Sequence, residues 1–171
     1  MTWTAPAITR PAGSLAAGER TMLTGLLAWH RSTLLHKCAG LTGEQLAERT
    51  VPPSGLSLLG LIRHMAKVER IWFRERFAGQ DVPRLYSTEE NRDADFEEAD
   101  PARAAAYYAC LLEEQRLADE AVAGASLDDT FTVDGEPCSL RFVHLHLIGE
   151  YARHNGHADL LRERADGVTG G

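Results

Sequence analysis

The sequence predicts an all-α fold: a four-helix bundle with a long connection between helices two and three and a small β-hairpin before helix four. Three observations predict it. Four segments, each roughly twenty residues long, repeat apolar side chains at three- and four-residue steps, the signature of amphipathic helices. Residues 78–100 lack any such period. A short alternating run into Asp134-Gly135 precedes the last segment. The 171 residues, 44% of them hydrophobic, suffice for one ordinary domain. That domain is expected over residues 15–165, between a flexible lead-in at 1–14 and a flexible tail at 166–171.

Residues 1–14 mix Thr, Pro, Ala and Gly and read as a loose start. Helix one is expected from Gly18 to His36, with Met22, Leu26, Trp29 and Thr33 as its apolar seam, widened by Leu23, Leu27, His30 and Leu34. Gly40 is the natural left-handed cap, and a short helical turn at Glu44–Glu48 follows. After the break at Val51-Pro52-Pro53-Ser54-Gly55, helix two runs from Ser57 to Phe77 on Leu58, Leu61, Met65, Val68 and Trp72, with His64 at the edge of that arc. The acidic stretch 78–100 is longer than neighbouring helices need and is a candidate lid. Asp100-Pro101 supplies an N-cap and a first-turn proline for helix three, which reaches Ala123 on the seam Ala104, Tyr108, Leu111, Gln115, Ala118 and Val122. Thr130 to Cys138 reads as a hairpin with a type I′ turn, Pro137 confining its second arm to an edge. Helix four runs from Ser139 to Arg164 on Leu140, Val143, Leu147, Glu150, His154, Ala158 and Leu161.

Charge and cysteine usage narrow the function classes. There are 25 acidic residues against 18 basic ones, a net charge of −7, which argues against nucleic acid and anionic membranes as partners. Cys38, Cys110 and Cys138 form no CxxC and no even set, so a reducing cytoplasm is expected rather than a disulfide framework. No apolar run is long enough for a bilayer, and the start lacks the apolar core of a secretory signal.

The chemistry concentrates in helix four, whose apolar stripe is interrupted by Glu150 and His154. A buried carboxylate must find a counter-charge, a proton or water. Four residues apart on a helix, the two side chains can reach one cation at about 2.0–2.2 Å each. His64 is the best third donor, and two histidines with one carboxylate leave open positions on zinc or another divalent first-row ion such as nickel, iron or manganese. His146 and His157 flank the stripe; His146 is a substitute ligand, and His157 a hydrogen-bonding neighbour or a general acid/base. A blander reading stays open beside this one. His64 is then a core histidine bonded to a carbonyl, and Glu150 and His154 are a charge pair in a solvated groove. His30, His36 and His144 suit helix flanks and ends, Cys110 suits packing, and the Tyr107-Tyr108 pair suits packing too. Arg70, Arg74 and Arg76 read as a solvated helix face. No GxSxG, P-loop, GxGxxG or HExxH motif is present.

Several stretches carry a resemblance: Gly18-Glu19-Arg20 leading to Trp29-His30-Arg31, Ser57 through His64 with Val68-Glu69-Arg70-Ile71-Trp72-Phe73, and Leu140 through Arg162 with His154-Asn155-Gly156-His157. On these the chain resembles the DinB-like superfamily of metal-binding four-helix bundles, in the branch named for the mini-circle protein, and is similar to mycothiol-dependent maleylpyruvate isomerase. The resemblance spans Gly18 to Arg164, specific in helices two and four and vague over 78–100. It implies a metal triad of His64, Glu150 and His154, with Glu150 standing where many members have histidine, as in the isomerase. His157 departs from the glutamine usual in that motif. The resemblance further implies a low-molecular-weight thiol, mycothiol or bacillithiol, ionised on the metal for transfer or isomerisation, with His157 or His146 managing protons and a small molecule as partner. A non-catalytic binding bundle, a purely structural bundle and a homodimer are the competing expectations.

Overall fold

The computed structural model describes residues 2–170. Helix α1 spans Glu19–Cys38, and a one-turn α2 spans Gly43–Ala47. Helix α3 spans Leu58–Glu69 and continues without a break as a π-helical stretch, Arg70–Phe77. A single turn, α4, covers Ala94–Glu97; a 3-10 turn at Pro101–Arg103 leads into α5, Ala104–Val122. Strands β1 (Thr130–Val133) and β2 (Glu136–Ser139) pair antiparallel, and α6 runs from Leu140 to Asp166. Helix α1 packs along α6, α3 along α5, and α3 also meets α6, so the four long helices enclose one core. None of the described helices is long and apolar enough to cross a membrane.

Local chemistry explains where the elements begin. Ser57 Oγ accepts from the Gly60 amide at 3.0 Å and starts α3, Asp100 Oδ1 accepts from Ala102 at 2.9 Å, and Ser139 Oγ accepts from Phe142 at 3.2 Å to start α6. Thr42 and Gln45 form a reciprocal capping box on α2. Asp134 and Gly135 both have positive φ, 51° and 87°, as a type I′ turn requires. Arg162 donates to the carbonyls of Lys37 at 2.9 Å and Ala39 at 2.8 Å, closing the end of α1 from α6.

The structure corrects three expectations. The start of the chain is docked rather than loose: Ala5 is buried, its amide donates to Leu41 O at 2.9 Å, and Trp3 meets Tyr108 edge-on. The seam of α1 is turned from the expected one. Met22, Leu26 and Trp29 are exposed, at 39%, 46% and 36%, whereas Leu27, Arg31, Leu34, Leu35 and Cys38 face inward. Arg70 and Arg74 are not a solvated face; their side chains are mostly buried and hold the buried Glu114 carboxylate at 2.6 and 2.8 Å.

An inward arginine on α1 makes sense only through its partners. Arg31 donates Nε and Nη2 to the two oxygens of Glu69, each at 2.7 Å, and Nη1 to Asp119 at 2.8 Å. The Tyr151 hydroxyl donates to Glu69 Oε1 at 2.8 Å, and Gln115 Nε2 donates to Tyr151 at 3.0 Å. Every long helix contributes to this network. Burial first, and the Glu69 charge second, raise the Tyr151 phenol well above its ordinary pKa, so it remains a donor. Removing one member of a buried ion pair strands the other. Arg31→Met is therefore expected to lower unfolding free energy by about 3–5 kcal/mol, and Tyr151→Phe by only about 1–2 kcal/mol; urea unfolding of both variants measures the contrast.

Candidate metal centre

Three of the residues singled out in the sequence meet. His64 projects from the middle of α3, while Glu150 and His154 project from successive turns of α6, the helix that packs against it. One donor atom from each lies within 4.8 Å of the others. Glu150 Oε2 stands 3.5 Å from His154 Nε2 and 3.9 Å from His64 Nε2, and the two imidazole centroids are 4.7 Å apart. Two ligands held tetrahedrally at about 2.0–2.2 Å from one cation are themselves about 3.3–3.6 Å apart, so the spacing suits a shared ion after small side-chain adjustments.

The surroundings orient these donors. Asp95, fully buried on α4, places Oδ2 2.8 Å from His64 Nδ1 and 2.5 Å from Lys67 Nζ. Burial alone would raise the Asp95 pKa, but hydrogen bonds from His64 and Lys67 outweigh it and hold the group below the usual carboxylate range. An ionised Asp95 accepts the Nδ1 proton of His64, leaving the Nε2 lone pair for the cluster. That Nε2 atom is buried and has no hydrogen-bond partner among the described residues, a costly arrangement unless something else engages it. Burial, reinforced by neighbouring His64 and opposed by Glu150, pushes His154 down to about 4, so its ring is neutral and able to ligate at pH 7. The donor set and the stranded Nε2 therefore fit a divalent cation.

The packing that delivers Asp95 is equally specific. Gly60, one turn before His64, leaves room for Phe96: a Cβ there would stand 3.1 Å from the Phe96 ring and 3.3 Å from its Cα. Phe96 in turn stacks on His64, with centroids 4.8 Å apart and planes 26° apart. Neither Asp95 nor Phe96 was singled out from the sequence, because residues 78–100 have no periodic pattern to mark an inward side.

His157 and His146 occupy different surroundings. His157 Nδ1 lies 3.3 Å from His154 Nδ1, beside the cluster. His146 lies one turn before Glu150 with its ring 4.3 Å from Trp72 and stacked 5.7 Å from Phe142, and burial lowers its pKa. His144 is buried against Phe73, with Nδ1 3.0 Å from Leu140 O, and His30 meets Asn155. Cys38 is buried and its thiol is pushed up to about 12 by desolvation, which leaves it unreactive.

Comparison with known proteins gives three results. No curated protein matches the sequence. A crystal structure described as the conserved protein of locus from Enterococcus faecalis matches with a TM-score of 0.66 and 15% identity, covering 90% of this chain and all of that one, which shows a shared fold. A family model described as mycothiol-S-transferase matches residues 22–167, from the first helix through the last and including all three donors. The chain belongs to the mycothiol S-transferase family, of DinB-like fold.

Proposed function

We propose that the protein is a metal-dependent transferase that joins a low-molecular-weight thiol, mycothiol, to a small electrophile. The observation that supports this most directly is the stranded, buried Nε2 of His64, aimed at Glu150 and His154 and backed by Asp95. His64 Nε2, the Glu150 carboxylate and His154 Nε2 would hold the ion. A divalent first-row cation, zinc foremost, bound there lowers the pKa of a docked thiol and so supplies thiolate at neutral pH.

The protein's own groups do the rest. Asp95 fixes the tautomer of His64. For His154 to present Nε2, its proton sits on Nδ1 and is donated to His157 Nδ1, which places the remaining proton of a neutral His157 on Nε2. His157 thereby orients His154 as Asp95 orients His64. With both nitrogens of His157 engaged in that way, the neutral His146, one turn before Glu150, is the group proposed to accept the thiol proton as the new carbon–sulfur bond forms; it returns the proton to the product where the electrophile is an addition acceptor, and releases it to solvent with the leaving anion where a halide is displaced.

Protein purified without an affinity tag should contain about one equivalent of a divalent first-row metal, and chelation should lower its melting temperature. His154→Ala should fall below about one-tenth equivalent while the far-ultraviolet circular dichroism stays unchanged; full metal content in that variant refutes the ligand assignment. Asp95→Asn should weaken metal affinity by about 10–100-fold, read by competition with a chelating dye. Metal-loaded protein should consume mycothiol in the presence of electrophiles such as bromobimane faster than the His154→Ala variant. Equal rates across an electrophile panel overturn the proposed activity.

A further inference from the structure

A second concave site, with a volume of about 560 Å³, lies between Lys67 of α3, the π-helical stretch that follows it and the 84–92 part of the long connection. Its charge reverses that of the molecule. In a chain of net charge −7, its wall carries the cations Lys67, Arg70, Arg76, Arg84 and Arg92 against two carboxylates, Glu75 and Glu89.

Folding explains only part of that excess. Lys67 is committed to Asp95, and Arg70 to Glu114 at 2.6 Å and the Pro83 carbonyl at 2.6 Å. The other three cations have no carboxylate partner among the described residues. Arg76 rests over the Trp72 ring at 4.3 Å, and the exposed Arg84 and Arg92 side chains are uncommitted. The Nε–H of Arg70 is buried with no acceptor among the described residues. Gathering unpaired guanidinium groups in one concavity is unfavourable by itself and becomes favourable when an anion occupies it. Arginine forks match the two-oxygen geometry of a carboxylate or phosphate.

Position ties this pocket to the centre. Lys67 follows His64 by three residues on one helix, and both hold the same oxygen of Asp95. We propose that the pocket holds the anionic group, a carboxylate or a phosphate ester, of the electrophile handled at the centre, an assignment that rests on the function proposed above. The electrophile is then an anionic small molecule, seated with its charged end among Arg76, Arg84 and Arg92 and its reactive end toward His64.

Calorimetric titration of the protein with succinate, with inorganic phosphate and with neutral succinamide tests this. Saturable binding of succinate or phosphate that weakens with salt is expected, with none for succinamide. The stronger of the two anions identifies the group as carboxylate or phosphate. Arg84→Gln/Arg92→Gln should weaken anion binding about tenfold, and Arg84→Lys/Arg92→Lys should recover most of it. Saturating mycothiol should leave anion binding in place. No saturable binding, equal binding by the glutamine variant, or displacement of the anion by mycothiol each overturns the assignment. Metal analysis of the same samples separates the two proposals: metal without anion binding removes only this pocket, whereas anion binding without metal removes the proposed centre and leaves an anion site.

Discussion

A carboxylate with no solvent exposure, Glu69, sits where all four long helices meet, and its need for partners disciplines the whole bundle. Leaving such a charge unpaired costs several kcal/mol, a large share of the net stability of a domain this size. Arg31 supplies the counter-charge from α1, and Tyr151 caps the remaining acceptor from α6. Apolar packing tolerates small slips of one helix along another, but these directional bonds do not. Because Tyr151 lies between Glu150 and His154, and Glu69 lies five residues after His64, the same contact that closes the core also sets the register in which the three donors face one another.

The arrangement repeats on a smaller scale. Glu69, Asp95 and Glu114 are all buried in this acidic chain, and each is held by two cationic or hydrogen-bonding side chains. All three contact α3 or its π-helical continuation. That rod therefore has polar obligations on several sides: toward α1 and α6 at Glu69, toward α4 at His64 and Lys67, and toward α5 at Arg70 and Arg74. Its early turns are otherwise apolar, with Leu58, Leu59, Leu61 and Ile62 all buried.

The sequence made the four rods legible because apolar periodicity is a local property, and it made the juxtaposition of His64, Glu150 and His154 legible because charged and polar residues interrupt otherwise apolar stripes. The cap at Asp100 and the Asp134-Gly135 turn were readable because they too are local signals. What failed was long-range. Nothing near Arg31 announces that Glu69, 38 residues away, will draw it inward and leave Met22, Leu26 and Trp29 outside. Arg70 and Arg74 look solvated until Glu114 arrives from another helix. Asp95 is one of several acids in an aperiodic stretch, and its position is marked only by contacts with distant residues: its own bonds to His64 and Lys67, and the packing of Phe96 on Gly60.

The absence of a side chain at Gly60 has an evolutionary corollary. The connection that α4 interrupts is exposed over much of its course, and exposed segments tolerate change in length and composition. Its footing is not free, because even one methyl group at position 60 would press against both the ring and the backbone of Phe96. Lineages that diversify this connection to accept new substrates should thus vary the residues before Ala94 while keeping the small residue beneath Phe96, so that novelty in the rim is inherited without disturbing the anchor.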